Sequence, residues 1–485
     1  MKRYKYILFA LAVTASINAQ AIRTAGMGNI GYSVTDEDNS LSLFDFGNNP
    51  AWLVNDQNHD WLKFIPSSEN AWGDYKRTYD PGRVNYYNAL FRGVKILEDG
   101  TFLGETTYEY DYRKRVSRSL KYNPYNGEAF FMNDSSTGNI VYDGPSMKFM
   151  YSFEPLENFY AGASASYRLL KGLKNVYSRA EILYRDVFIN AGIAYKLSGS
   201  LTAGLTFAYE DEQEKIESDA DDLLDVEIFN YRGDTYYTTR RASTVENKLR
   251  QKTVSTGLQL YYTPSQSFEA GLTGNISGAN NKLLVPYRNT EGSYMEYESD
   301  YANFNDYEAK LAARYYVGSR VILSALAEYH KSKSWTKNST YDLLLWEWDM
   351  QGISAGAGAS VKVTDEILVA AEYEFTSNSI DSSKYSDSRF VDETSADHLV
   401  KIGCEAEFIK NIFFRAGYNY GTKEIDIIYG GRDVKYSLVT FGMGLKMFSS
   451  FSIDLMLAYN NSKPGEHDYS RSGFSSYASL KLFSF

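Results

Sequence analysis

Four histidines, a glycine triplet and an acidic stretch are the residues of this chain whose types and spacing invite chemistry. His59, His330, His398 and His467 are the available general bases for a hydrolase. His330 follows Glu328 by two residues, so the two share a face if the segment is a strand, and His467 precedes Asp468 in polar surroundings. No spacing supplies the nucleophile and orienting carboxylate of a relay, and histidines in polar stretches are usually solvated, so the chain reads as non-enzymatic. Gly26-Met27-Gly28-Asn29-Ile30-Gly31 has the spacing of a dinucleotide-binding turn. Such a turn needs a strand before it and a helix after it, and neither pattern is present. The acidic run from Glu210 to Glu227 lacks the glycine and ligand spacing of a calcium loop and reads as a solvated loop. No cofactor or metal is implied. A formal net charge of −11 argues against a nucleic-acid partner, and the single Cys404 cannot form an internal disulfide.

The charged residues that remain are spaced by two, which is strand spacing. Phe159, Ala161, Ala163, Ala165 and Tyr167 form one alternate set, opposite Gly162, Ser164, Ser166 and Arg168. Val400, Ile402, Cys404, Ala406 and Phe408 repeat the arrangement opposite Lys401, Gly403, Glu405 and Glu407. From about residue 146 the pattern recurs in strands of about ten residues. Their connections alternate between short turns and long polar segments near 170–185, 211–251, 278–303, 332–350, 377–397, 422–435 and 462–474. That alternation is the topology of a transmembrane antiparallel β-barrel with short periplasmic turns and long extracellular loops. The odd number of strands from residue 146 requires an odd number before it. Candidates are His59–Pro66 and a hairpin of Val84–Leu97 with Phe102–Tyr112. The total is roughly 16–18 strands, with the higher number preferred. A mean hydropathy of −0.41 does not oppose this, because lipid-facing and lumen-facing residues alternate. Tyr108, Tyr110 and Tyr112 share one face and suit an aromatic girdle.

Alternation places Arg168, Lys196, Glu210, Glu269, Glu308, Lys310, Arg314, Glu328, Glu372, Glu374, Lys401, Glu405, Glu407, Arg415, Lys446 and Asp454 on the lumen side. A route for an apolar ligand would have to strip water from these groups at several kcal/mol each, so the lumen suits a hydrated pore or a braced, plugged interior.

The two ends of the chain agree. Residues 1–19 carry Lys2, Arg3 and Lys5, the apolar Ile7–Val13 and a small-residue site at Ala19, the three parts of a secretory signal. The last residues, Tyr477 to Phe485, read as an aromatic strand in which Ser479, Lys481, Phe483 and Phe485 share one alternate set. An exported chain ending this way resembles the outer-membrane β-barrels of Gram-negative bacteria. The resemblance implies a place in the outer membrane, with membrane lipid, lipopolysaccharide and the barrel insertion machinery as partners. Arg240-Arg241 and Arg113-Lys114-Arg115 lie in predicted loops, as lipopolysaccharide contacts or as ordinary surface charge.

Ala25-Gly26-Met27-Gly28, Gly31-Tyr32-Ser33-Val34-Thr35-Asp36 and Asn49-Pro50-Ala51-Trp52-Leu53 resemble the mature N-terminus of the FadL-type transporters and their relatives, the type IX secretion shuttle proteins. That resemblance implies a hatch inside the barrel, here residues 20–55, with Gly26, Gly28, Gly31, Asn49 and Pro50 as its key positions and residues 56–485 as the barrel. Two functions remain open. One is passive or plug-gated passage of an unknown small solute. The other is a non-enzymatic barrel docking a protein partner in an outer-membrane secretion or nutrient-uptake complex.

Overall fold

The computed structural model describes residues 33–35, 39–125, 131–219, 225–233, 235–288, 290–447 and 451–483. The glycines Gly26, Gly28 and Gly31 and the leader lie outside these residues. Eighteen strands form one antiparallel sheet that closes on itself. The first strand, Trp61–Gly73, pairs with the last, Arg471–Phe483, from Trp61↔Phe483 to Gly73↔Arg471. Closure satisfies every strand edge, which is what a sheet needs when lipid surrounds it. Three strands of the barrel precede Gly138, namely Trp61–Gly73, Arg83–Leu97 and Gly100–Val116, and they supply the odd number that parity requires.

At one end the turns are tight. Asn158, Gly318 and Asn411 adopt left-handed φ values of 63°, 63° and 67° there, residue types that tolerate this region. At the other end, most of the polar segments that read as loops continue the ladder. Thr244–Ser265, Phe268–Arg288 and Tyr294–Val317 run unbroken through them. The strands therefore rise well past their apolar outward residues. On Leu201–Asp219 the outward set is Leu205 and Phe207, about half exposed, and then Asp211, Gln213 and Lys215. On Thr244–Ser265 it passes from Leu258 and Val254 to Lys252 and Arg250. The exposed apolar band, with Tyr87, Tyr108 and Tyr110 on its long-loop side, is a lipid-facing belt with its girdle.

The last strand settles a phase question. Phe474, Leu480 and Leu482 face outward, whereas Ser479, Lys481 and Phe483 face inward. Lys481 Nζ lies 4.9 Å from the Trp61 ring centre and 4.5 Å from that of Phe483. A cation in this alternate set thus has a lumen environment and no contact with lipid.

Candidate functional site

The lumen is closed at both ends by different constructions. At the tight-turn end the closure is the N-terminal segment. Pro50 opens a short 3-10 turn, Pro50–Trp52, where its fixed φ is already suitable and no backbone donor is lost. Asn49 caps that turn, its Oδ1 accepting from Ala51 N at 3.0 Å. Its Nδ2 donates to the wall, to Ile193 O at 3.1 Å and to Gln259 Oε1 at 3.0 Å. Trp52 meets Tyr160 edge-on, with Lys196 Nζ over both rings at 5.5 and 5.0 Å. Leu53 is fully buried among Trp61, Val94, Leu103 and Met150.

Glycines of the wall make room for this segment. A methyl group on Gly192 would overlap Asn49 Oδ1. On Gly162, Gly204 and Gly358 it would lie 2.6 Å from Pro50 C, Asn49 Nδ2 and Thr35 Cγ2, and on Gly271 2.7 Å from Leu41 O. All five stand on the inward alternate set of their strands, and side chains there would exclude the plug. Two charged residues then hold it. Arg314, almost wholly buried, donates from Nε to Val34 O at 2.7 Å and from Nη2 to Asn39 O, while Nη1 pairs with Glu269 at 3.1 Å. Glu372 Oε1 accepts from Thr35 N and Thr35 Oγ1, each at 2.7 Å, and from Ser33 Oγ.

At the long-loop end the closure is a hydrophobic core. Phe131–Asp134, Val226–Tyr231 and Tyr237–Ala242 form a three-stranded sheet. Phe131, Met132, Val226 and Ile228 pack with inward residues of the raised wall, among them Ile216, Leu249, Phe304, Trp346 and Trp348. Buried pairs fix the sheet at opposite sides: Lys174 with Asp134, and Arg232 with Asp300 at 2.7 Å. Beside it the closure turns polar. Tyr122 lies against Tyr142 and Tyr184, under the guanidinium groups of Arg113 and Arg168. Lys121 and Glu214 attract each other here, while burial pushes the amine down and the carboxyl up. Glu212, beyond the belt, is pushed up to about 8, by burial first and then by Glu210 and Asp186.

Between the closures the inward residues are polar. Glu308 pairs with Lys310 at 2.7 Å and keeps 45% of its side chain exposed to the lumen, and Glu328 stands 4.0 Å from the same lysine. Lys401 lies 3.5 Å from Glu372 and 3.3 Å from Glu374. Arg415 bridges Glu405 at 2.6 Å and Asp454 at 2.9 Å. Arg168 pairs with Glu109 at 2.6 Å. Asn275, Ser277, Ser332 and Thr376 add neutral hydrogen-bonding groups. Lys446 stands near the tight-turn rim, its Nζ 5.0 Å from the Phe413 ring centre. Glu407 is out of the alternation. A register shift between Ala406 and Ile409 carries it into the turn, where it accepts from Asn411 N at 2.6 Å.

The acidic run that reads as a solvated loop is strand for its first half, and Glu210, Glu212 and Glu214 point into the lumen. Glu109, Asp186, Glu212, Glu214 and Lys121 are thus site residues that the period-two reading omits. His330 also faces inward, on the strand Val321–Asn338 opposite Glu308, whereas His398 faces outward with its Nδ1 2.8 Å from the Tyr373 hydroxyl. No group of three metal-ligating side chains occurs among the described residues.

Comparison with known proteins adds one family. Residues 50–480 match the model described as a family of unknown function, DUF6850. No curated protein matches the sequence. Among solved structures, the copper transporter OprC aligns at 6% identity over 87% of this chain and 80% of its own, with a TM-score of 0.48. The siderophore receptor PiuA from Acinetobacter baumannii aligns at 9% identity over 88% and 82%, with a TM-score of 0.46. A Pseudomonas aeruginosa FadL homologue aligns at 12% identity over 95% and 97%, with a TM-score of 0.40.

Proposed function

We propose that this chain, which belongs to the DUF6850 family of unknown function, is an outer-membrane barrel that passes small polar solutes when its N-terminal plug is displaced. The observation that carries this reading is the chamber of exposed, hydrogen-bonding and charged side chains between two closures, one of which is a single terminal segment seated on glycines. Eight-stranded barrels are filled by their side chains, whereas a barrel of eighteen strands is wide enough to keep an aqueous interior. The solute is polar, because the inward charges at mid-depth would have to be stripped of water for an apolar one. Displacing residues 33–56 opens the tight-turn mouth. At the other mouth the closure is polar where Arg168 bonds Tyr122 and Glu109, and passage beside the apolar cap requires these groups to part. Movement is down a gradient, without covalent chemistry.

Single-channel recording tests the reading. The barrel lacking residues 20–55 should insert into a planar bilayer and conduct steadily, while the full chain stays mostly closed. An inserted but silent truncated barrel would overturn it. That result would favour the second reading, a docking barrel, for which the supporting observation is that Arg168, Arg314, Lys401 and Arg415 are all ion-paired in a braced interior.

A further inference from the structure

The outward surface just above the apolar belt is unevenly charged. On the strands Phe159–Lys174, Glu181–Lys196, Leu201–Asp219 and Thr244–Ser265, the outward apolar set runs up to Leu169, Val187 and Val254, and Leu173 and Leu183 stand exposed beyond the first cations. Directly above stand Lys171, Arg185, Arg250 and Lys252, all outward. Cross-strand register aligns Arg185 with Gln213 and Gln213 with Arg250, while Asp211 is aligned with Lys252 one row nearer the belt. Asp211 is held by Arg250 in a two-bonded pair at 3.1 and 2.6 Å. Four cations thus face two carboxylates, Asp211 and, on the adjoining strand Gly138–Leu156, the outward Asp143 aligned with Lys171, a local excess of positive charge. Lys171, Arg185 and Lys252 form no ion pair among the described residues, and Arg185 Nε is buried without a hydrogen-bond partner. Arg185 Nη2 meets only the neutral Gln213, at 3.1 Å.

The sector formed by the strands Val321–Asn338 and Leu343–Lys362 differs. Its outward lysines at the same edge, Lys331 and Lys333, share Asp349 at 3.5 and 2.8 Å, and Lys337 pairs with Asp342 at 3.1 Å. The cations of this sector are neutralised by the protein. Those on the first sector are left for something else.

From this we infer that Lys171, Arg185 and Lys252 form a binding site for the phosphate groups of an outer-leaflet phosphoglycolipid of the lipid A type. The strip spans about 15 Å across four strands, so it can meet more than one phosphate while the acyl chains lie on the belt beneath. A soluble phosphate would use only the upper half of this surface. An amphiphile uses both, and guanidinium and ammonium donors suit its phosphate oxygens. The site is distinct from Arg240-Arg241, which belong to the cap strand Tyr237–Ala242, and from Arg113, which points inward to Asp111 at 2.8 Å.

The inference rests on the outer-membrane placement proposed above. Purify the full chain in mild detergent, confirm the folded barrel by its heat-modifiable migration, and count bound lipid A by native mass spectrometry. The unmodified protein should retain lipid A, and Lys171→Gln with Arg185→Gln and Lys252→Gln should reduce its occupancy by about tenfold or more. Lys331→Gln with Lys333→Gln should leave occupancy unchanged, and the charge-keeping Lys171→Arg with Lys252→Arg should restore it. Dephosphorylated lipid A should bind no better to the unmodified protein than to the triple variant, and millimolar inorganic phosphate should not displace the lipid. Equal retention by the triple variant, or equal loss in the Lys331 and Lys333 variant, would overturn the inference. Failure to migrate as a barrel would instead overturn the placement.

Discussion

The two closures are made of different material. The long-loop closure is a core: Trp346 and Ile216 are almost wholly buried, and its sheet is rooted at both ends of two connections between strands. The tight-turn closure is a segment that enters the barrel at Trp61; it buries Leu41, Leu43, Ala51 and Leu53 in three small apolar clusters and is oriented by directed contacts. These include Arg314 to two carbonyls, Glu372 to Ser33 and Thr35, Asn49 to Gln259, and close approaches over glycine. A core resists opening because many weak contacts must be lost together with buried apolar area. The seat is smaller: its apolar contacts are split among three small clusters, and each of its hydrogen bonds contributes only about 1 kcal/mol net, so less must be lost to release it. The difference is why the proposed gate is the N-terminal segment and not the cap.

The strongest way to break this contrast is to damage the core. Trp346→Ala removes a ring whose Nε1 donates to Ser382 Oγ at 2.9 Å and should weaken the cap by about 3–5 kcal/mol. Limited proteolysis should then cut within 117–137 while single-channel openings through the plug keep their frequency. A comparable change in openings would make the two closures one cooperative unit. The opposite experiment is Gly192→Leu. Its side chain overlaps Asn49, which should cost the seated plug about 1–3 kcal/mol and bring conductance toward that of the plug-deleted barrel. Proteolysis of the cap should not change. A smaller effect is expected from Glu372→Gln, which keeps the shape but weakens the bonds from Ser33 and Thr35. About 1 kcal/mol is expected, or openings several-fold more frequent in the same recordings.

The smallest effect concerns pH and the polar side of the cap. Burial, with Glu210 and Asp186 nearby, raises Glu212 from 4.5 to about 8. Its protonated form is therefore the one the closed structure favours. That stability is fully present below pH 4.5 and is lost as pH rises through about 8. Raising pH from 6 to 9 should speed labelling of a reporter cysteine placed at Ser119, and Glu212→Gln should flatten the dependence. A pH response that persists in that variant would assign it to another group.

How much of this was readable in the sequence follows from where the outward residues stop being apolar. Within the belt, lipid enforces alternation, so the strands and their parity are legible in Phe159–Tyr167 or Val400–Phe408. Above the belt, water removes that constraint. Asp211, Gln213 and Lys215 on the outward side make a strand look like a loop, which hides Glu212 and Glu214 between them. The turn at Asn49-Pro50-Ala51 is legible because turn chemistry is local. Its seat is only half legible: Gly162, Gly192 and Gly204 fall on the inward set, but nothing in the spacing says what approaches them. The cap is illegible, because it depends on Phe131–Asp134 pairing with Val226–Tyr231, two short segments far apart in sequence. The phase of the last strand and the position of Glu407 depend on register, which a bulge or the first strand decides.

A disulfide across the seat tests the central claim most directly. A Cβ at Gly358 would lie 2.6 Å from Thr35 Cγ2, so Thr35→Cys with Gly358→Cys places two sulfurs within bonding reach. Cys404, exposed on the outer wall, is replaced by Ser to leave one pair. The oxidised barrel should stay closed in single-channel recordings, and reduction should restore openings of the amplitude seen after plug deletion. Openings equally frequent before and after reduction would contradict the account, because the segment over the glycines would then not be the gate.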